Sequence, residues 1–487
     1  MPEYSPKRRT ALVFTGSGTS GAYHAGVLKA LEEAGTKIDV VVGSGVGNVS
    51  AVFAAAAAGS RLYGPQGFWD GVGWASLYRM RRPLRFVLFM MGVAFGVFLL
   101  PVALALLLGV LFPIVMVADL AAPGLPARLI GDPWAAPSAL RDPYIAALAM
   151  PVFVLAASAV VGAIYAQLRY RRRLAELFES FLDAAPAVSR LRQALSDLSR
   201  VGSARPSADA EIGKRYVDIV DENLGQPGFR ELVVRAADLD AGEILPFVLL
   251  AEPHRTAYLQ ARAQAARSEE GQPIAVNLGA GGESMLFDAV ATGLLPPLAT
   301  PVRRVSFPRR GLYGGEVHRL TESTLTGGCG LGDAITAGAE QVILVTGVPQ
   351  NPSAPRRRRG LHALADATEA LLERQGLEQE LRAALRLNRI VQTVGHRLED
   401  GRRAWQDPAT GRTYRDVSIY VVRPDRRSIG PLEWDGVVDP ATEVPEETAD
   451  LIDLGYRDAY RLFIEPVLGA PEAPKRPAVP HEEPVEL

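Results

Sequence analysis

The segment that decides the fold is Val40-Val41-Val42-Gly43-Ser44-Gly45-Val46-Gly47-Asn48. An unbroken β-branched run leads into a glycine-rich turn, and the small-residue run AVFAAAAAG follows at 51–59. A strand, a tight turn and a helix in this order present the nucleophile in many enzymes, where the serine of Gly-x-Ser-x-Gly is at the third position. Here the third position holds Gly45, so the turn lacks the atom that would attack.

The residues around this segment predict a repeating strand–helix order. TALVFTG at 10–16 is a short apolar strand, and 21–34 has the apolar spacing of a helix that Gly35 ends. The apolar run 38–44 predicts a strand buried on both faces, and 49–58 predicts a second helix. The order β-α-β-α is typical of a parallel sheet covered by helices, so we expect an α/β fold.

The first strand–helix connection carries Gly16-Ser17-Gly18-Thr19-Ser20-Gly21, a G-x-G-x-x-G pattern. One interpretation is a dinucleotide site, but that site requires an acidic residue at the end of the second strand. Asp39 stands at the start of that strand, and Gly43-Ser44-Gly45 stands at its end. The other interpretation is that backbone N–H groups of the first turn face the second turn, as an oxyanion hole faces a nucleophile.

The composition narrows the classes of function. The chain has 487 residues, a formal net charge of -2 and a single cysteine, Cys329. One cysteine excludes an internal disulfide framework and a cysteine-based metal cluster, and the charge does not favour a nucleic-acid partner. No group of histidine, cysteine and acidic residues has the spacing of metal ligands, so we expect no bound metal. We also expect no cofactor. The first apolar run is too short for a signal peptide.

Two long segments without a charged residue predict a transmembrane helical hairpin. They cover 86–118 and 143–168, and about 20 apolar residues suffice to cross a bilayer as a helix. Their outer flanks carry arginines, at Arg79, Arg81, Arg82, Arg85, Arg169, Arg171, Arg172 and Arg173. Since positive charge stays on the cytoplasmic side, we expect an integral protein of the cytoplasmic membrane whose other parts face the cytoplasm.

The chain is therefore predicted to have five parts. These are a first part of the α/β domain at 1–80, the hairpin insertion at 81–173, a second part of the α/β domain at 174–350, a C-terminal α/β extension at 351–468 and a disordered Pro- and Glu-rich tail at 469–487. In this arrangement the hairpin interrupts the α/β domain and the domain continues after it.

Four stretches together resemble the patatin-like phospholipases. They are GSGTSGAYHAGVLKALEEAG at 16–35, IDVVVGSGVGNVSAVFAAAAAG at 38–59, AVATGLLPPLATP at 289–301 and GLGDAITAGAEQVILVTG at 330–347. The resemblance is strong over 10–60 and weaker over 230–350. It implies a patatin-like α/β fold with a mainly parallel sheet, a glycine-rich oxyanion loop, a Gly-x-Ser-x-Gly elbow and a Ser–Asp dyad.

The resemblance assigns roles to individual positions. It places the nucleophile at Gly45, and it places the acid of the dyad at Glu322, the first residue of Glu322-Ser323-Thr324 where the family has Asp-Gly-Gly. Tyr313-Gly314-Gly315 keeps the two glycines but lies too far upstream. The oxyanion hole then consists of Gly16, Ser17, Gly18, Thr19 and Gly21.

Both positions of the dyad depart from the family pattern, and this departure sets the expected function. Without a serine at Gly45, covalent acyl transfer by that residue is impossible. We therefore expect a membrane-anchored, lipid-binding or scaffolding pseudoenzyme whose partners are membrane lipids. The alternative is an active lipid acyl hydrolase, a phospholipase or lysophospholipase, with a displaced nucleophile. Ser44 and Cys329 are the two residues considered for that role, beside water activated by Glu322.

Overall fold

The structure is a computed structural model. It describes residues 4–82, 84–86, 88–93, 95–96, 99, 110, 113–114, 117, 120–121, 157, 161, 180, 182–199, 208–268, 275–297, 299–309, 312–324, 328–351, 361–398, 403–408, 413–425, 429 and 447–469. The chain forms two compact units, one made of Met1–Arg79 with Ala184–Leu487 and the other of Met80–Asp183. The larger unit contains the glycine-rich turns and is described below.

Within the described residues, the strands follow one another along the whole chain. They are β1 Thr10–Gly16, β2 Val40–Gly45, β3 Arg79–Met80, β4 Leu182–Asp183, β5 Glu231–Asp238, β6 Glu243–Leu249, β7 Val276–Asn277, β8 Arg303–Ser306, β9 Val317–Thr321, β10 Gln341–Thr346, β11 His396–Arg397, β12 Arg403–Gln406, β13 Thr413–Arg415 and β14 Ser418–Val422.

The helices of the described residues alternate with these strands. They are α1 Ser20–Glu33, α2 Gly47–Ala55, α3 Ser60–Tyr63, α4 Trp74–Leu77, α5 Ala185–Leu198, α6 Asp209–Asn223, α7 His254–Ser268, α8 Leu286–Thr292, α9 Leu331–Thr336, α10 Leu361–Val394 and α11 Thr448–Ala459. Short 3₁₀ turns cover Glu283–Met285 and Leu312–Gly315, and a π-helix covers Tyr460–Leu468.

The central sheet is mainly parallel. Its order in the described part of the chain is β14-β10-β1-β2-β5-β6-β7, with β9 also paired to β5 and β8 paired to β9. The five strands from β14 to β5 run parallel to one another, whereas β6 and β9 are antiparallel to β5. A mixed α/β architecture with a mainly parallel sheet is therefore present, and the carboxyl ends of β1 and β2 lie side by side.

Both faces of this sheet are buried, as the unbroken apolar runs of β1 and β2 predict. On one face Val13 and Val42 belong to a core cluster that also contains Tyr258 of α7, Leu331 of α9 and Leu377 of α10. On the other face the Phe14 ring lies 5.2 Å from the imidazole of His24 in α1. Helices on both faces thus exclude water from the strands.

The end of the chain completes the same unit. β14, which belongs to the predicted C-terminal extension, pairs with β10 at the edge of the central sheet. Helix α11 lies against α1, where the Tyr23 hydroxyl donates a hydrogen bond to Asp458 at 3.1 Å. The boundaries of the five predicted parts stay predictions.

The predicted transmembrane hairpin is wrong. Among the residues that the structure describes, no helix combines the length and the apolar character that crossing a bilayer requires. Most of 86–118 and all but two residues of 143–168 lie outside the described residues, as does 470–487 of the predicted disordered tail. An apolar run is only one condition for crossing a bilayer, because the segment must also bond all its backbone groups within one continuous helix. The membrane-anchored fold and the integral-membrane localisation are therefore not retained.

Candidate active site

The glycine-rich turn after β1 holds all five residues of the predicted oxyanion hole. Gly16 has a φ of +148° and Gly18 a φ of +57°, which glycine adopts without strain. Ser20 is the first residue of α1, and its hydroxyl donates a hydrogen bond to the carbonyl oxygen of Ser17 at 2.9 Å. Gly16, Ser17, Gly18, Thr19 and Gly21 therefore lie in one turn at the carboxyl edge of the sheet, in which Gly18 and Thr19 are partly exposed and the other three are buried.

The turn after β2 lies directly beside it. Gly16 and Gly45 are partners in the parallel pairing of β1 with β2, and the Val46 N–H donates to the carbonyl oxygen of Gly16 at 2.8 Å. A Cβ atom added to Gly47 would lie 2.2 Å from the carbonyl oxygen of Phe14, so the start of α2 approaches β1 too closely for a side chain. The two glycine-rich turns thus lie side by side, and the oxyanion hole stays a prediction.

The position that the resemblance assigns to the nucleophile has no room for a side chain. Gly45 has a φ of +61°, and a Cβ added there would lie 2.4 Å from the carbonyl oxygen of Gly16. It would also lie 2.5 Å from Oε1 of Glu322 and 2.7 Å from Cγ2 of Thr324. The space that a serine needs is therefore filled by backbone on one side and by Glu322 and Thr324 on the other.

The structure brings Glu322 to Gly45, although 276 intervening residues separate them in the sequence. Glu322 follows β9 and is 1% exposed, and its Oε1 accepts a hydrogen bond from the Thr324 hydroxyl at 2.8 Å. The Gly45 N–H donates to the Ser323 hydroxyl at 3.3 Å, which joins the two turns directly. The assignment of Glu322 to the acid position stays a prediction, but its location fits that assignment.

The other glycine pair considered for the acid lies elsewhere. Tyr313-Gly314-Gly315 falls in the 3₁₀ turn between β8 and β9, and the Tyr313 ring stacks on the imidazole of His318 at 3.7 Å. His318, Asp238 and Asp240 have ligand atoms within 4.8 Å of one another, close enough to hold a metal ion. These atoms already bond within the protein, since His318 contacts Asp238 at 2.7 Å and Arg319 pairs with Asp240 at 2.7 Å.

Neither residue considered as a displaced nucleophile has the environment that attack requires. The Ser44 hydroxyl lies 3.0 Å from that of Ser323 and accepts a hydrogen bond from the Arg235 guanidinium at 3.4 Å, a cation that cannot take its proton. The Cys329 thiol donates to Glu380 at 3.3 Å. Burial, reinforced by the Glu380 carboxylate, raises the pKa of Cys329 well above its usual value, so the reactive thiolate is disfavoured.

His24 is held in the neutral state by burial. Its Nε2 lies 3.2 Å from the carbonyl oxygen of Thr15, and its Nδ1 lies 3.5 Å from the Ser50 hydroxyl. Burial lowers the pKa of His24 to about 3, so the ring carries no charge at neutral pH. These contacts connect α1, β1 and α2 below the two turns.

Sequence reasoning missed a buried ionic network under the second turn. Arg235 of β5 pairs with Asp333 of α9 at 2.9 Å and donates to the carbonyl oxygen of Gly328 at 3.0 Å. Asp333 also accepts a hydrogen bond from the Tyr258 hydroxyl at 2.6 Å. The signal was available in ELVVRAADL at 231–239, because an arginine inside an apolar strand must find a buried partner.

Sequence reasoning also missed two glutamates of α10. Glu380 accepts hydrogen bonds from the Leu331 N–H at 2.8 Å and the Gly332 N–H at 3.3 Å, at the start of α9. Oε1 of Glu373 lies 3.5 Å from where a Cβ on Gly16 would be. No local pattern in α10 indicates these contacts, since both glutamates sit in an Ala/Leu/Glu-rich helix and reach the site only through the fold.

A comparison with known families matches the part of the chain that contains the two glycine-rich turns. Residues 12–89 match the family model described as Patatin-like phospholipase, which confirms the resemblance to that family. Among solved structures, the crystal structure of VipD from Legionella pneumophila is similar at 12% sequence identity and a TM-score of 0.31, covering 94% of this chain and 67% of that chain. Among curated proteins, none matches the sequence.

Proposed function

Because this chain resembles the patatin-like phospholipases, with residues 12–89 matching their family model, we propose that it is a lipid-binding or scaffolding pseudoenzyme that does not hydrolyse esters. The observation that carries the proposal is the filled space at Gly45. A serine there would collide with the Gly16 carbonyl oxygen and with the Glu322 carboxylate. The site therefore lacks both the nucleophile and the volume for one.

The two departures from the family's dyad, Gly45 and Glu322, are sterically compatible with each other. Glutamate is one methylene longer than the aspartate of the family, and the longer side chain reaches the position that a serine Cβ would take. A single loss of the nucleophile would leave an open space, whereas here the carboxylate fills it. Glycine at position 45 together with glutamate at position 322 therefore favours a site that is adapted to glycine over a site that has only lost the serine side chain.

The glycine-rich turn supports a retained binding role. Its fold is kept, and backbone N–H groups at the start of a helix favour an oxygen atom that carries negative charge. Such an oxygen is present in fatty acids and in phospholipid headgroups, which is why we propose lipids as the ligand class. The same glycines also form the tight turn, so lipid binding requires its own measurement.

The test is an ester-hydrolysis assay on the purified protein in mixed phospholipid micelles, with labelling by a fluorophosphonate probe. We expect the native protein to show neither turnover nor labelling. We expect Gly45→Ser alone to stay unlabelled because its hydroxyl has no room. The double variant Gly45→Ser with Glu322→Asp, which withdraws the carboxylate by one methylene, should stay unlabelled as well, because the added Cβ still meets the backbone carbonyl oxygen of Gly16 at 2.4 Å.

Hydrolysis by the native protein would overturn the proposal, and the labelled residue would then identify a displaced nucleophile. Lipid binding is tested separately, by displacement of a fluorescent fatty acid with monoacyl phospholipids. Saturable displacement supports the lipid ligand. Its absence, together with absent hydrolysis, would leave the scaffolding role and remove the lipid-binding one.

A further inference from the structure

Helix α10 places a carboxyl group against the glycine-rich turn. Glu373 is 6% exposed, and its Oε1 lies 3.5 Å from where a Cβ on Gly16 would be. The residue lies outside the stretch that matches the family model. A group from the C-terminal part of the chain therefore lies against Gly16, at the start of the turn that would receive a ligand oxygen.

The buried position beside Gly16 leaves the Glu373 carboxyl group with an unsatisfied oxygen atom. Within the described residues, Oε1 of Glu373 has no hydrogen-bond partner. The buried Ser17 and Thr19 hydroxyls of the same turn likewise have none among the described residues. Burying polar atoms without hydrogen bonds costs free energy, so groups left in this state indicate a closed arrangement that another state can satisfy better.

The rest of α10 is anchored more firmly than its Glu373 turn. Leu377, Ala384 and Val391 are 2%, 7% and 0% exposed, and the amide of Asn388 donates to the carbonyl oxygen of Val417 at 2.6 Å. Gly376 separates these residues from Glu373. Gly376 belongs to the anchored part, because a Cβ there would lie 3.1 Å from the Gly328 Cα, whereas Leu371 and Leu372 beside Glu373 are 55% and 41% exposed.

We propose that the part of α10 before Gly376 is a lid on the glycine-rich turn, closed by the uncharged Glu373 carboxyl and opened when that carboxyl ionises. The lid would control access of a ligand to the turn. The proposal concerns opening alone, and it holds whether or not the site hydrolyses esters.

The direction of the pH effect follows from the burial of Glu373. Burial raises the pKa of Glu373 from its ordinary value of 4.5 to about 7. A pKa that is raised in the closed state means that closure is fully favoured below about pH 4.5 and loses this contribution as the pH rises to about 7. Opening should therefore become more frequent as the pH rises over this range and should level off above it.

The charged and titratable groups around the turn do not reverse this direction. The neutral His24 lies in α1, and Arg235 is held by Asp333 at 2.9 Å. Among the described residues, the other charged or titratable groups on the surrounding elements include Glu322 after β9, Cys329 before α9, Arg423 after β14 and, on α10 itself, Arg374, Glu378 and Glu380. Arg374 already binds Glu378 at 2.9 Å, so the cation next to Glu373 in sequence is engaged on the helix surface.

The test is amide hydrogen exchange of the full chain, followed by mass spectrometry of the peptide that contains Gly16–Ser20. Rates are corrected for the intrinsic pH dependence of exchange and compared at pH 5 and pH 7.5. We expect the corrected rate to rise roughly 10- to 50-fold at pH 7.5 in the native protein. We expect Glu373→Gln, which cannot ionise, to remove the rise.

The matched control is Glu222→Gln, which changes an exposed glutamate of α6 and should leave the rise unchanged. Equal corrected rates in the native protein at the two pH values would overturn the proposal, and so would a rise that persists in Glu373→Gln. The native comparison needs no variant, so it decides the proposal even where Glu373→Gln does not fold.

Discussion

At the scale of single residues, Gly45 determines what this site can do. Its positive φ is strained for a residue with a side chain, such as the nucleophile of a strand–turn–helix elbow, whereas glycine adopts it without strain. The nearby Gly16 carbonyl oxygen and Glu322 carboxylate make the position sterically closed as well. These two effects, conformation and contact, can be separated by experiment.

We expect Gly45→Ala to lower the free energy of unfolding by about 3 kcal/mol, since a left-handed alanine and an overpacked Cβ both destabilise. The control is Gly71→Ala. Gly71 has nearly the same φ, +60°, but a Cβ there meets no described atom within 4 Å, so its cost should be about 1 to 2 kcal/mol. Urea denaturation of both variants measures the difference. Equal losses would show that Gly45 has room for a side chain.

Arg235 is the second residue whose role depends on burial. It is 4% exposed and its partner Asp333 is 8% exposed, so removing the guanidinium leaves a buried carboxylate without its countercharge. We expect Arg235→Met to lower the free energy of unfolding by about 3 to 5 kcal/mol. Arg319→Met, which breaks the more exposed pair with Asp240, should cost at most about 1 kcal/mol. Thermal unfolding compares the two, and similar losses would contradict the network.

At the scale of elements, α9 and α10 are joined through one carboxylate. Glu380 accepts the first N–H groups of α9 and the thiol of Cys329, the residue two before that helix begins. A Cβ on Gly328 would lie 2.0 Å from Oε1 of Glu380, so the two segments approach closely. The contact fixes the position of α9 and, through Asp333, of Arg235.

We expect Glu380→Ala to increase the reaction rate of Cys329 with a thiol reagent at least tenfold. The variant opens space beside the thiol and removes a carboxylate that raises its pKa, and both changes favour the thiolate. Because Cys329 is the only cysteine, absorbance of the released thiol product reports on it directly. Glu378→Ala on the same helix is the control and should react like the native protein. An unchanged rate in Glu380→Ala would contradict the contact.

At the scale of the whole molecule, the end of the chain packs against its beginning. A Cβ on Gly26 of α1 would lie 1.8 Å from the carbonyl oxygen of Ile452, and one on Gly455 of α11 would lie 2.1 Å from that of Tyr23. The two helices therefore cross at backbone contact, and β14 adds a strand to the same sheet. The stability of the first turns thus depends on residues that lie more than 400 positions later.

We expect Gly455→Ala to lower the free energy of unfolding by about 2 kcal/mol or more, because the added methyl must push α11 away from α1. Gly332→Ala is the control, since a Cβ at this helical glycine meets no described atom within 4 Å. That substitution should be neutral or stabilise by about 0.5 to 1 kcal/mol. A neutral Gly455→Ala in chemical denaturation would show that the two helices are not in close contact.

Much of the local structure was predictable because it depends on short-range patterns. The strand predicted at 10–16 has those bounds, and the helix predicted at 21–34 is observed at Ser20–Glu33. Glycines fix both turns, since glycine adopts without strain the positive φ values found at Gly18 and Gly45. The membrane hairpin was predicted by the same local reasoning and was wrong, because hydropathy alone does not establish a continuous helix.

The sequence by itself determined that position 45, in the turn after β2, holds a glycine and no side chain that could attack, whatever the fold. The resemblance to the patatin-like phospholipases pointed to Glu322 as the residue at the acid position. Only the tertiary structure decided that Glu322 fills the space of the missing side chain and that Glu373 covers the facing turn. The physical reason is that these are contacts between residues far apart in the chain, and no local pattern records how strands and helices bring them together.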